Sequence, residues 1–197
     1  MKRIPRLFVI SGPAGVGKGT LVARVRALRP DLELTVSATT RSPRPGEVEG
    51  VSYHYLSEEE FSRRVEAGEF LEWAFVHGHR YGTLRSEVTK SISRGHSVIL
   101  EIDYHGAFNV RKALPETVLI FIEPPSAEEL ERRLRGRATE DEAQIELRLA
   151  NARQEIACGE RYDVRVVNDD VDRAANELVD IIETYEVNGG FTTNVSR

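Results

Sequence analysis

Gly12-Pro-Ala-Gly15-Val-Gly17-Lys18-Gly-Thr20 follows directly on the apolar run Leu7-Phe-Val-Ile10 and precedes a stretch in which Leu21, Val22, Val25 and Leu28 recur at helical spacing. An unbroken apolar run that ends in a glycine turn reads as a strand buried on both faces, the kind parallel sheets contain. Pro30 marks the exit from the helix that follows. Strand, glycine-rich loop and helix, in that order, make a phosphate cradle. Glycines let successive backbone N–H groups converge on phosphate oxygens, the helix N-terminus adds partial positive charge, and the Lys18 ammonium reaches the β and γ oxygens of a triphosphate. Gly12, Pro13, Ala14, Gly15, Val16, Gly17, Lys18, Gly19 and Thr20 are therefore the candidate ATP contacts. The residue after the lysine is usually Ser or Thr, whose hydroxyl helps hold Mg²⁺. Here it is Gly19, which leaves phosphate oxygens, water and Thr20 to carry the metal.

Working outward, Leu34-Thr-Val-Ser37, Ser97-Val-Ile-Leu-Glu-Ile102, Val118-Leu-Ile-Phe-Ile122 and Val164-Arg-Val-Val167 read as further strands. Helical segments lie between them, several opened by the Ser/Thr-x-x-Glu signature: Ser57 with Glu60, Ser126 with Glu129, Thr139 with Glu142. Alternating strand and helix predicts an α/β fold, a parallel sheet flanked by helices with ligands at the carboxyl ends of its strands. Two stretches break the alternation. Residues 37–85 open on the rigid Arg41-Ser-Pro-Arg44-Pro-Gly46 turn and carry short strand-like pieces at Ser52–Tyr55 and Phe70–Phe75; residues 135–158 begin with an arginine-rich link. Both are candidate lobes over the site, set on a core of residues 1–36, 86–134 and 159–188, with a loose tail expected over 189–197.

A chain of 197 residues accommodates one such domain and not two of ordinary size. Its 40% hydrophobic and 30% charged content excludes a disordered or fibrous class. No apolar run approaches the roughly 18 residues of a membrane span. The apolar run after the basic N-terminus stops at Ser11, so neither a membrane partner nor a signal peptide is expected. The single Cys158 excludes an internal disulfide and fits a reducing compartment, which makes cytoplasm the expectation. A net charge of −5 argues against a nucleic-acid partner bound through a broad basic surface. Arginine is nevertheless concentrated at Arg41 and Arg44, at Arg132, Arg133, Arg135 and Arg137, and at Arg148 and Arg153.

Nearly the whole chain resembles the guanylate kinases, phosphate-loop nucleoside monophosphate kinases. The resemblance rests on Gly17-Lys-Gly-Thr20, Val36-Ser-Ala-Thr-Thr-Arg41-Ser-Pro-Arg44-Pro-Gly-Glu-Val-Glu-Gly50, Tyr53, Glu69-Phe-Leu-Glu72, Tyr81-Gly-Thr83, Leu100-Glu-Ile-Asp103-Tyr-His-Gly106 and Asn168-Asp169. It implies transfer of the γ-phosphoryl group of ATP to GMP, as purine salvage requires, with Mg²⁺ accompanying ATP. It implies that Arg41, Arg44, Tyr53 and Tyr81 hold the GMP phosphate and that Ser37, Glu72, Thr83 and Asp103 read guanine. By the same resemblance Lys18, Arg44, Arg137 and Arg148 are the catalytic cations, and Arg135, Asn168 and Asp169 border ATP.

The residue types suit that chemistry. Guanine offers donors at N1 and N2 and acceptors at O6 and N7, so a selective site wants carboxylates for the first pair and hydroxyls for the second. A monophosphate wants planar, bidentate cations, which arginine supplies better than lysine. Taken alone, Glu72 could instead be the solvent face of an alternating strand, Tyr53 and Tyr81 core aromatics, and Trp73 and Cys158 packing residues. His105 stands where these kinases more often have Gln. His77-Gly-His79 invites a zinc reading but lacks a Cys or carboxylate at ligand spacing. Three rival functions share parts of the pattern: a non-catalytic phosphopeptide-binding module of the same fold, a kinase for another nucleoside monophosphate, and a GTPase switch. The switch lacks its guanine reader, because Asn168-Asp-Asp170 offers no lysine. Oligomeric state is not written in the sequence.

Overall fold

The computed structural model describes residues 3–76, 78–136 and 142–188. In chain order the elements are β1 (Leu7–Ser11), α1 (Lys18–Leu28), β2 (Glu33–Leu34), β3 (Ala38–Thr39), β4 (His54–Tyr55), α2 (Glu58–Glu66), β5 (Phe70–Val76), β6 (His79–Leu84), α3 (Arg85–Ser93), β7 (Val98–Glu101), α4 (Tyr104–Ala113), β8 (Val118–Glu123), α5 (Ala127–Arg135), α6 (Glu142–Ala157), β9 (Val164–Val167) and α7 (Val171–Asn188).

Five strands form a parallel sheet in the order β2-β7-β1-β8-β9. All of β1 is buried, and successive side chains of a strand point to opposite faces. Phe8 and Ile10 accordingly join Ile120, Ile122, Val25 and Leu178 on one face, while Leu7 and Val9 join Leu100, Leu119, Val88 and Val110 on the other. Each such side chain removed from water contributes roughly 1.5–3 kcal/mol. Helices cover both faces for this reason, and the open edge of the layer is left at the strand ends.

A second sheet, β4-β3-β6-β5, is built within residues 38–84 around a small core of Ala38, Phe61, Phe70 and Leu84, with the Phe61 and Phe70 rings stacked at 4.4 Å. Here the sequence expectations need correcting. The strand expected over Leu34–Ser37 ends at Leu34, because the chain leaves the first sheet and pairs again only as β3 in the second. Of Ser52–Tyr55, His54 and Tyr55 alone form a strand. Trp73 is not a packing residue in full: one edge meets Phe61, but the residue is 44% exposed. The Ser57 and Ser126 hydroxyls cap α2 and α5 as expected, accepting the Glu60 and Glu129 N–H groups at 3.1 and 3.2 Å. Thr139 lies outside the described residues.

The end of α7 is tied to the core by charge. Arg29, 6% exposed, donates to Glu186, 2% exposed, and to Asp31 and Glu183, while Ser97 donates to Glu186 at 2.6 Å. These partners hold the Arg29 pKa above its ordinary value, the Asp31 hydrogen bond first among the causes. Removing one member of a buried pair strands the other. Glu186→Ala is expected to cost about 3 kcal/mol in urea unfolding at neutral pH, the low end for a broken buried pair because Asp31 and Glu183 remain.

Candidate nucleotide-binding site

The turn from β1 into α1 is forced into shape by its surroundings. At Gly12 (φ 153°) a Cβ would fall 2.4 Å from the Ile122 carbonyl oxygen of the neighbouring strand, and at Gly17 (φ 95°) 2.8 Å from Asn168 Nδ2. No other residue fits either position. Asn168, 3% exposed at the end of β9, donates to Val16 O at 2.8 Å, and Arg133 of α5 donates to Val16 O at 3.2 Å and to Asn168 O at 3.1 Å. Two elements thus brace the loop from behind. Lys18 Nζ lies against the carbonyls of Gly12 and Pro13. In front is a cavity of about 310 Å³ lined by Ala14, Gly15, Gly17, Lys18, Gly19, Thr20 and Glu101. Behind Gly17 a second cavity, about 510 Å³, is bordered by Arg133, Asn168 and Asp169. Arg135 is held elsewhere, donating to Glu131 at 2.7 Å and to both oxygens of Glu142 at 2.6 and 2.7 Å.

A third cavity, about 200 Å³, lies between the sheets and includes Ser37, Tyr53, Glu72, Tyr81, Glu101 and Asp103 in its wall. Glu72 comes from β5 and Thr83 from the facing β6, and the Thr83 hydroxyl donates to Glu72 Oε1 at 2.7 Å. Glu72 is 8% exposed, so the solvent-face reading of its strand is wrong; α4 packs over it, with Gly106 leaving room for Glu72 Oε2. Burial raises the Glu72 pKa, the Thr83 hydrogen bond pulls it back, and the charge of Asp103 adds to the rise. Asp103 caps α4, Oδ1 accepting the Gly106 N–H at 2.8 Å. Ser37, Glu72 and Asp103 therefore line the cavity, while the expected fourth group, Thr83, is fully buried and bonded to Glu72 rather than part of the wall.

At the outer end of this cavity Tyr53 and Tyr81 meet edge to face at 5.9 Å, and the Arg41 guanidinium lies 5.4 Å from the Tyr53 ring centre. Glu47 organises the group. It accepts from Arg41 at 2.8 and 3.0 Å, from the Arg44 N–H at 2.8 Å and from the Tyr55 hydroxyl at 2.8 Å. The Arg41 hydrogen bond, first among these, pulls the Glu47 carboxyl down to about 2. The Arg44 side chain is exposed.

Sequence reasoning singled out neither Glu47 nor Glu101. Glu101 ends β7 and lines both the loop cavity and the base cavity; it keeps access to solvent through them, yet enough protein surrounds it that burial raises its carboxyl while Lys18 opposes the rise. Its signal was an acid at the carboxyl end of an apolar strand, two residues before Asp103. Arg148 sits on α6, whose Ile145, Leu149 and Ala152 are buried. Arg137 and His77 lie outside the described residues.

A triphosphate-binding loop and an acid-lined base cavity at the strand ends of one parallel sheet define a phosphate-loop kinase of small nucleotides. The guanylate kinase family model matches residues 4–185, and the chain belongs to that family. A guanylate kinase of Synechococcus sp. (strain CC9311) is 50% identical over 175 residues, 89% of this chain and 92% of that protein. That of Rubrobacter xylanophilus is 48% identical over 184 residues, 93% and 96% of the two chains. The crystal structure of guanylate kinase from Anaplasma phagocytophilum superposes with a TM-score of 0.72 at 34% identity, covering 94% of this chain and 88% of that one.

A carboxylate whose pKa is raised by folding binds more protons in the folded than in the unfolded state, so its contribution to stability falls as pH rises through the raised value. Glu72→Gln is therefore expected to melt higher than the parent protein at pH 8 in the absence of nucleotide, with the difference closing toward pH 4. Calorimetry across that range that finds no pH-dependent gap contradicts the buried charge.

Proposed function

We propose that the chain phosphorylates GMP from ATP in the cleft between its two sheets, with residues 37–85 as the GMP-binding lobe and residues 135–158 as a lid. The observation that carries this reading is the adjacency of the two cavities: one glutamate, Glu101, forms part of both walls. ATP phosphates dock on residues 12–20 and its adenosine end extends toward Asn168 and Asp169, with Arg135 reaching it once freed from its acidic partners. Glu72 and Asp103 accept from guanine N1 and N2, and Ser37 and Thr83 donate to the other edge. The Thr83 hydroxyl now given to Glu72 is exchanged for the base. Arg41, Arg44, Tyr53 and Tyr81 take the monophosphate, with Glu47 holding Arg41 in its rotamer.

The acceptor phosphate is already anionic, so no dedicated base is required; positioning and neutralisation of charge on the transferring group do the work. Lys18, Arg44, Arg137 and Arg148 supply that positive charge, and closure of the lobes excludes water. Among the described residues no three His, Cys, Asp or Glu side chains form a metal cage. Exposed Thr20 and the Glu101 carboxylate border the phosphate cavity, a donor set that fits a hydrated Mg²⁺ carried mainly by phosphates. Such a cation, when bound, neutralises phosphate charge. No helix among the described residues is long and apolar enough to cross a membrane. With the lone Cys158, cytoplasm is the compartment this reading assigns.

A coupled assay of ADP release with GMP, dGMP, AMP, UMP and CMP is expected to show fast turnover with guanine nucleotides alone; rapid use of AMP would favour the rival reading, a kinase of another base. Arg137→Ala is expected to lower kcat by about 10²-fold, as loss of one preorganised cation does, with the KM for GMP little changed. In the same series, the KM for GMP is expected to rise as pH falls through the raised pKa of Glu72, because a protonated carboxyl cannot accept both guanine donors.

A further inference from the structure

Glu47 accepts four hydrogen bonds, and one comes from a residue that the reaction as described does not use. Arg41 Nη2 donates to Oε1 at 2.8 Å and to Oε2 at 3.0 Å, the Arg44 N–H donates to Oε2 at 2.8 Å, and the Tyr55 hydroxyl donates to Oε2 at 2.8 Å. Arg41 and Arg44 belong to the same turn as Glu47, so their bonds shape the turn without fixing where it stands. Its entry is tied to β3, the Arg41 N–H donating to Thr39 Oγ1 at 3.1 Å. Tyr55 ties its far end. That residue lies in β4, in register with Thr39, and its phenol reaches across to Glu47.

Three phenol rings then stand in a row. Tyr55 meets Tyr53, and Tyr53 meets Tyr81, each pair edge to face with ring centres 5.9 Å apart. Tyr53 and Tyr81 line the base cavity, whereas Tyr55 stands behind them, outside its wall. The Arg41 and Glu47 side chains are 12% and 21% exposed, so if one shifts, water does little to satisfy the other. Partial loss of water, and then the bond to Glu47, raise the pKa of the Tyr55 phenol, which stays a donor at neutral pH. An arginine that must be ordered when its ligand arrives gives up part of its binding energy to lost rotamer freedom; one already held does not.

We propose that Tyr55 is a positioning residue for the acceptor phosphate: by holding Glu47 Oε2 it keeps the Arg41 guanidinium beside Tyr53, at the mouth of the base cavity. Its hydroxyl touches no substrate and acts through the carboxylate. The inference deepens the reading of Arg41 as a GMP phosphate contact and rests on it.

The test compares Tyr55→Phe, Glu47→Gln and the double variant with the parent protein, in steady-state kinetics and in GMP binding by titration calorimetry, with guanosine as a competitive inhibitor against GMP. Phenylalanine keeps the ring beside Tyr53 and removes the hydroxyl alone. Tyr55→Phe is expected to weaken GMP binding and raise its KM about 5-fold, the scale of one hydrogen bond. The inhibition constant of guanosine, the KM for ATP and kcat at saturating GMP should each change less than about 2-fold. Guanosine lacks the phosphate, so a variant that merely loosened the lobe would lose guanosine together with GMP. Glu47→Gln should cost at least as much as Tyr55→Phe, and adding Tyr55→Phe to it should cost less than about 2-fold more, because the two residues act as one unit. Unchanged GMP binding, equal losses of GMP and guanosine, or additive losses in the double variant would overturn the proposal. Failure of the parent protein itself to phosphorylate GMP would instead overturn the functional reading beneath it.

Discussion

Backbone amides can grip a polyphosphate only while they are held pointing at it, and here that depends on what lies behind the loop. Gly12 turns against the Ile122 carbonyl with no space for a side chain, and Asn168 and Arg133 both anchor the Val16 carbonyl. The anchors sit at the ends of β9 and α5, so the geometry of the loop is set by the packing of the whole parallel sheet. Burial of β1 on both faces fixes the strand, the strand fixes the turn, and the turn fixes Lys18.

Facing this cradle is a second arrangement of a different physical kind. Glu72 is a carboxylate driven into the protein against its solvation, with Thr83 as a partial counterweight and Asp103 adding repulsion. Such a group is unfavourable in its ionised form unless further donors reach it, and a ligand with two adjacent donors would supply them. At the other end, Glu47 is satisfied by Arg41, Arg44 and Tyr55, so the Arg41 guanidinium is held in place in the free protein. One end of the acceptor site is preorganised, and the other waits for its ligand.

The cations divide the same way. Arg41 and Arg133 are built into the cleft walls by neighbouring acids and carbonyls. Arg135 is engaged with Glu131 and Glu142 across the start of α6, a pairing between exposed groups that is worth little and is readily exchanged. Lys18 meanwhile stands among loop carbonyls with Glu101 and Glu155 in its field. A bound triphosphate enters a balance of charges that already exists.

Local pattern determined a good deal of this molecule. The apolar run ending at Ile10, the glycine spacing up to Lys18, the serine caps and the alternation of strand and helix each depend on residues close in the chain, so the loop and the parallel sheet could be read directly. The likeness over Ser37 to Asp103 carried the acceptor residues. What the pattern could not carry was burial at a sheet junction. Glu72 and Trp73 are neighbours in an alternating strand, and only the packing of α4 over β5 decides that the carboxylate is enclosed while the indole stays partly in water. The place of Glu101 between two cavities, beyond its position at a strand's carboxyl end, and that of Glu47 beneath Arg41 were not legible, because their partners come from separate elements or from a turn whose path the residues alone do not fix. Sequence set the chemistry available at each strand end, and the crossing of two sheets decided which charges lose their water and which remain free to move.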